Sequence, residues 1–191
     1  LGTGSKVFLQ AQMAEEFIVA GESHKGMISL MNAHDGTAAL AAGVTDTRVI
    51  CGNTFAMAMG DMTTRLRHGK NLMDDASRIS EVINFVNEGM ARYSEAAEVL
   101  ASTKLTGSVM DNIIEETFNK PKESIRAYNT IKSLAIAGRG NEGKTLYDVV
   151  NGITEYTTHY AGKEDKRFAS ANFGRNANLA RRAMNVALAT V

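Results

Sequence analysis

The stretch with the densest chemical promise is GRGNEGKT, Gly138 to Thr145, which satisfies both G-x-x-x-x-G-K-[ST] and G-x-G-x-x-G. In that chemistry glycine N–H groups cradle phosphates, Lys144 reaches the terminal phosphates and Thr145 holds Mg²⁺. The surroundings argue against it. LAIA before the motif fits the last turn of a helix better than a strand, and no apolar strand ending in Asp follows within residues 146–191. A local explanation suffices: Gly138 ends one helix in the left-handed conformation, and Thr145 with Asp148 forms a T-x-x-D cap for the next. The loop between two helices is the reading adopted, with nucleotide binding ranked below it.

The single cysteine, Cys51, sits in RVICGNTFAMAM. A nucleophile needs a base and an oxyanion site. His34, His68 and His159 could supply a base, but no spacing brings any of them to Cys51, so a buried small residue at a strand end is expected. Asn53 and Thr54 read as N-cap residues for FAMAM. Glu155 and His159 stand at i and i+4, and His34-Asp35 would complete a set of four metal ligands, but no ligand spacing links them. They are read as a helix-surface pair. The ten Met residues read as core filler or a partner-facing surface. No catalytic residue, metal or cofactor is assigned.

Cationic residues form the other chemical signal. Residues 1–64 carry three basic against six acidic side chains, so the basic excess of this formally neutral chain lies beyond them. Two clusters hold it: Arg65, Arg67, His68 and Lys70, then Lys163, Lys166, Arg167, Arg175, Arg181 and Arg182. Such clusters can track a phosphate backbone, since each neutralised phosphate releases counterions; a solvated face is the plainer reading.

The elements that position these residues divide the chain in two. The first 60 residues read as strands, with KVFLQA, EEFIVA, GMISLMNA, TAALAAGV and TRVICG separated by Gly, Asp and Ser. Asp35-Gly36 marks a type I′ hairpin turn. From Asn71 the period becomes helical: Leu72, Ala76, Ile79, Ile83, Val86, Met90, Tyr93, Ala97 and Leu100 form one stripe on a helix of about 30 residues. That seam is expected to pack on the sheet of its own domain, with a partner helix as the alternative. Further helices are expected over Ser108–Phe118, Lys122–Ala137, Thr145–Tyr160 and Asn176–Leu188. The fold class is therefore α+β: an N-terminal antiparallel sheet of about five strands (mainly residues 1–60), a long amphipathic helix and a helical C-terminal half (mainly 71–190), in a single domain over residues 1–191.

With 191 residues, 44% of them hydrophobic, the chain can bury one core. One Cys excludes a disulfide scaffold and points to a reducing cytoplasm. No apolar run approaches the roughly 20 residues of a membrane span and no signal segment opens the chain, so no membrane is expected. Leu1 stands first in place of an initiator Met, so a missing N-terminal segment is expected.

Five segments taken together carry a resemblance: MNAHDGTAAL, TRVICGNTFAMAM, RLRHGKN before a long helix, GNEGKTLYDVVNGITEYTTH and RFASANFGRNANLARRAMNVAL. In that order they resemble a phage- and plasmid-encoded family catalogued only as a domain of unknown function. The residues that match its pattern are Asn32, Asp35, Gly36, Cys51, Asn53, Thr54, Glu155, Tyr156, Phe173 and Gly174. The lysine of GKT lies outside that pattern. The resemblance covers nearly the whole chain and implies a mobile-element protein in a bacterial host cell, without an established activity.

Two functional expectations follow. The first is a single-stranded DNA-binding, recombination-type protein, similar in layout to phage annealases that join a small antiparallel sheet to a long helix and assemble as homo-oligomers. Its candidate contacts are Arg48, Arg65, Arg67, His68 and Lys70, with Lys163, Lys166, Arg167 and Arg175 as a second patch. The alternative is a self-assembling structural or host-interaction protein without catalysis.

Overall fold

The computed structural model describes residues 5–37, 39–50, 52–56, 64–66, 86–119 and 125–191. The architecture is α+β, with an antiparallel sheet first and helices after it. Strands β1 (Lys6–Val19), β2 (Glu22–Ala33), β3 (Leu40–Arg48) and β4 (Asn53–Ala56) follow in that order across the sheet, and the short β5 (Thr64–Leu66) also pairs with β3. The outer side of β3 is shared: β4 pairs with Thr45 to Arg48, and β5 with Leu40 to Ala42.

Strand division differs from the sequence reading in four places: TAALAAGV and TRVICG, expected as two strands, both contribute to the single strand β3 (Leu40–Arg48), and three further differences follow. KVFLQA and EEFIVA are one strand, β1, whose pairing with β2 slips between Gln12 and Glu16. That bulge, and not a turn, is what interrupts the apolar alternation. The two-residue turn with positive φ at both positions is Ala20 (φ 50°) and Gly21 (φ 81°), joining β1 to β2. At Asp35-Gly36 only Gly36 has positive φ (72°), and the Asp35 carboxylate instead accepts from the Thr37 N–H (2.9 Å) and hydroxyl (2.6 Å). Those bonds hold the Asp35 carboxyl down at about 2. Third, Asn53 and Thr54 do not cap a helix: they open β4, paired with Arg48 and Thr47. A Gly52 of φ 65° reverses the chain after β3 and returns it to the sheet.

The helices are α1 (Val86–Ser102), α2 (Gly107–Phe118), α3 (Ile125–Ala137), α4 (Leu146–Glu155), a π-helical turn (Tyr156–Tyr160), α5 (Glu164–Phe173) and α6 (Arg175–Leu188). The expected stripe is buried where α1 is described, at Met90, Tyr93, Ala97 and Leu100. The expected first half of that helix, from Asn71 to Phe85, lies outside the described residues. All ten residues of α4 are buried, which makes it the centre of the helical half. Gly152 permits this: a Cβ there would lie 2.6 Å from the Ala135 nitrogen of α3, so the two backbones meet with nothing between them.

Helix α5 has no counterpart in the sequence reading. Its sequence EDKRFASANF buries Ala171 and Asn172, one of them polar, so hydrophobic periodicity could not reveal it. Register shows why it matters. His24, Asp46 and Arg48 face one side of the sheet, toward α1 and α4, while Ser29 faces the other and binds Asn172 of α5. Phe8 meets Phe168 of α5 edge to face at 5.7 Å. Helices therefore cover both faces, which explains why Ala41 to Asp46 of β3 are buried without alternation.

Candidate functional site

Arg48, one of the expected phosphate contacts, is committed to partners inside the protein. It is 2% exposed at the end of β3. Its Nε and Nη2 donate to both carboxylate oxygens of Glu22, Nη1 donates to the Arg139 carbonyl (3.1 Å) and the Asn141 side-chain oxygen (2.9 Å), and Nη2 reaches the Gly140 carbonyl (2.9 Å). The guanidinium also lies 5.9 Å from the Tyr147 ring centroid. A phosphate would have to displace carbonyls and a carboxylate from a buried site. Arg48 is a clamp between the sheet and the 138–145 loop, using the rigid fork that lysine lacks.

The same loop answers the nucleotide question. Its Glu142, Lys144 and Thr145 N–H groups donate to the Asp148 carboxylate at 3.1, 3.0 and 2.9 Å. Asp148 thus occupies the place an anionic phosphate would take. Thr145 and Asp148 form the reciprocal capping box expected of them. Lys144 turns outward to Glu142, which holds its ammonium above the usual lysine range. Positive φ falls at Gly140 (76°) and Gly143 (67°), so the left-handed conformation expected of Gly138 belongs to those two. The loop's ends are tied to the α1–α2 connection through Leu105 N–H to the Lys144 carbonyl (2.8 Å) and Leu146 N–H to the Thr103 carbonyl (3.1 Å).

Beside the clamp is a buried polar network that the sequence reading missed. His24 Nδ1 and Asp46 Oδ2 are 2.5 Å apart, and the Tyr147 hydroxyl lies 3.2 Å from His24 Nε2. Tyr93 hydrogen-bonds both Asp46 and Tyr147. Burial pushes the Asp46 carboxyl up, against the opposing pull of His24, and pushes both tyrosines well above their ordinary value. An acid beside an imidazole resembles catalytic machinery, but a relay needs substrate access. All four side chains are at most 7% exposed. Their arrangement joins β2, β3, α1 and α4. The available signal was parity: His24 shares the face of Ile28 and Leu30, and Asp46 that of Val44 and Ala42.

The other sequence candidates separate. His34 is exposed in the β2–β3 turn. Glu155 and His159 do not form a surface pair: Glu155 is buried at the end of α4, while His159 is exposed on the π-turn. The wider turn, closed by Ala161 N–H to the Tyr156 carbonyl (2.9 Å), breaks the four-residue spacing. Among the described residues no group of three His, Cys, Asp or Glu could hold a metal. Arg65 pairs through its backbone with Ala41 in β5. Cys51, Arg67, His68 and Lys70 lie outside the described residues. Asn32 is the penultimate residue of β2 and Asp35-Gly36 lie in the turn after it, while Asn53-Thr54 pair at the far end of β3, so the described family-pattern residues do not converge on one site.

Lys163, Lys166, Arg167 and Arg175 do converge. They line a cavity of about 280 Å³ bounded by the end of α2, the π-turn, α5 and the start of α6. Among the described residues that line it none is acidic. Arg167 Nε is buried without a hydrogen-bond partner among the described residues. The frame is firm: Asn176 Nδ2 donates to the Thr157 carbonyl (2.6 Å), the Asn176 N–H to Ser170 Oγ (3.2 Å), and Gly162 turns the chain with φ 78°. Tyr156 lines the cavity, meets Phe118 edge to face and stacks on Tyr160 with rings 3° from parallel. Tyr160 is 52% exposed. Phe173-Gly174 forms the α5–α6 corner, where the Gly174 N–H donates to the Ser170 carbonyl (3.1 Å).

Residues 1–184 match the family described as Domain of unknown function (DUF932). The chain belongs to this family. No curated protein and no solved structure matches it. For this DUF932 chain the candidate site therefore rests on its own geometry: among the described residues, the basic cavity brings Lys163, Lys166, Arg167 and Arg175 together. Among the described residues no helix is long and apolar enough to cross a membrane.

Proposed function

We propose that this chain is a mobile-element protein that binds single-stranded nucleic acid through the α5–α6 face. One observation carries the reading: Lys163, Lys166, Arg167 and Arg175 gather at one cavity with no carboxylate among the described residues that line it. Four cations in one concavity focus a positive field that favours a phosphate backbone. The stacked Tyr156–Tyr160 pair beside it adds an aromatic platform, one ring of it exposed. Basic tracking combined with sequence-tolerant stacking is how single strands are held with their bases left able to pair. The mobile-element setting comes from the resemblance of the five ordered motifs.

The reading is tested by titrating labelled oligo-dT into purified protein at several salt concentrations. Affinity falls with salt by a log–log slope of about −0.7 for each phosphate neutralised on a single strand. Lys166→Gln and Arg167→Gln each flatten that slope, and Arg48→Gln does not, because Arg48 faces inward.

Self-association is favoured by a separate observation. β1 pairs with β2 alone among the described residues, and exposes Val7, Leu9 and Ile18 at 50%, 58% and 67%. Antiparallel pairing of two copies of β1 about Ala11 would set Lys6 against Glu16 at both ends, which gives the edge a self-complementary charge pattern. A homo-oligomer built this way would present repeated basic cavities to one strand. Light scattering across a concentration series tests it.

A further inference from the structure

The cavity's lining is of two kinds. α2 and the π-turn contribute the rings of Phe118 and Tyr156, while α5 and the first residue of α6 contribute cations. Internal phosphates of a strand require only the second kind. A bare anion would satisfy the cations and leave the rings unused, whereas a ligand carrying both a phosphate and a flat ring uses the whole lining.

Size narrows the class. About 280 Å³ lies at the lower end of small-ligand sites. One nucleotide unit fits that scale and a dinucleotide exceeds it. We infer that the cavity holds one nucleoside 5′-monophosphate unit, its phosphate on Lys166 and Arg167 and its base against the Phe118–Tyr156 wall. The unit is either a free mononucleotide or the 5′-phosphorylated end of a strand. This inference rests on the strand-binding reading for its choice of a nucleotide, but makes a separate demand on the cavity.

Calorimetry on the whole chain separates the cases, using thymidine 5′-monophosphate, thymidine, inorganic phosphate, and oligo-dT with and without a 5′-phosphate. The monophosphate binds at least about tenfold more tightly than thymidine or phosphate, and Arg167→Gln weakens it by about tenfold or more through loss of a charge-assisted hydrogen bond. Lys166→Gln, at an exposed position, weakens it without a change in melting temperature. Tighter binding of the 5′-phosphorylated oligonucleotide identifies a strand end; equal binding of the two oligonucleotides beside monophosphate binding identifies a free nucleotide. Monophosphate binding no tighter than inorganic phosphate overturns the inference, as does binding of neither the monophosphate nor a 5′-phosphate. If oligo-dT still binds with steep salt dependence in either case, the strand-binding reading stands alone. Monophosphate binding without any oligo-dT binding removes that reading and leaves the cavity's ligand in place.

Discussion

Arg48 illustrates how little residue type alone says about a cation's role. In the sequence it is one of nine candidates for phosphate contact; in the fold it is 2% exposed and bound to Glu22 and to two loop carbonyls. Removing one partner of such a pair leaves the other poorly compensated. Glu22 is 24% exposed, so water relieves part of the penalty. Arg48→Ala is expected to cost about 3 kcal/mol in chemical denaturation, while the folded variant retains the wild-type salt slope for oligo-dT. Asp46 supplies a pH test. Burial raises its folded-state value above the ordinary 3.8, so the folded protein keeps the proton to higher pH than the unfolded chain. The associated stability is present below about pH 4 and declines as pH rises through the raised value. Asp46→Asn, which mimics the neutral acid, should therefore gain relative to wild type as pH increases in urea melts; a difference independent of pH would contradict the assignment.

Elements were legible in proportion to how well their burial follows polarity. Helices α1, α2, α3, α4 and α6 carry apolar faces, and their reading holds over the described residues, as does the antiparallel sheet. The Thr145–Asp148 cap was legible because its two partners are three residues apart. Helix α5 was not, since it docks through Asn172 on Ser29 and Gln10 instead of through an apolar stripe. The FAMAM segment into which β4 runs has helical propensity because Ala and Met dominate it, and pairing with Thr45 to Arg48 of β3 overrides that propensity in β4. At this scale the β1 edge makes its own prediction. Leu9→Lys places a charge on an exposed edge position and is expected to abolish concentration-dependent association seen by light scattering. A wild-type chain that is monomeric at every concentration would remove the edge-pairing account.

Across the whole molecule, charge that is neutral in sum is uneven in place. The acidic excess of residues 1–64 is partly internal, with Glu22 and Asp46 committed to Arg48 and His24, while the cations of residues 163–175 stand around an open cavity. Sequence named those cations but could not show that they meet, because the meeting depends on the π-turn, on Gly162 and on a helix without a hydrophobic signature. It also could not show that the phosphate-binding motif at Gly138 to Thr145 is filled by Asp148, since that depends on side-chain direction within one turn. The most direct test of the central claim is the salt dependence of oligo-dT binding by wild type beside Lys166→Gln and Arg167→Gln. Wild type is expected to bind with an affinity that falls steeply with salt, and each variant to show a log–log slope smaller by about 0.7. No binding at micromolar protein in low salt, or a slope that both substitutions leave unchanged, would contradict it.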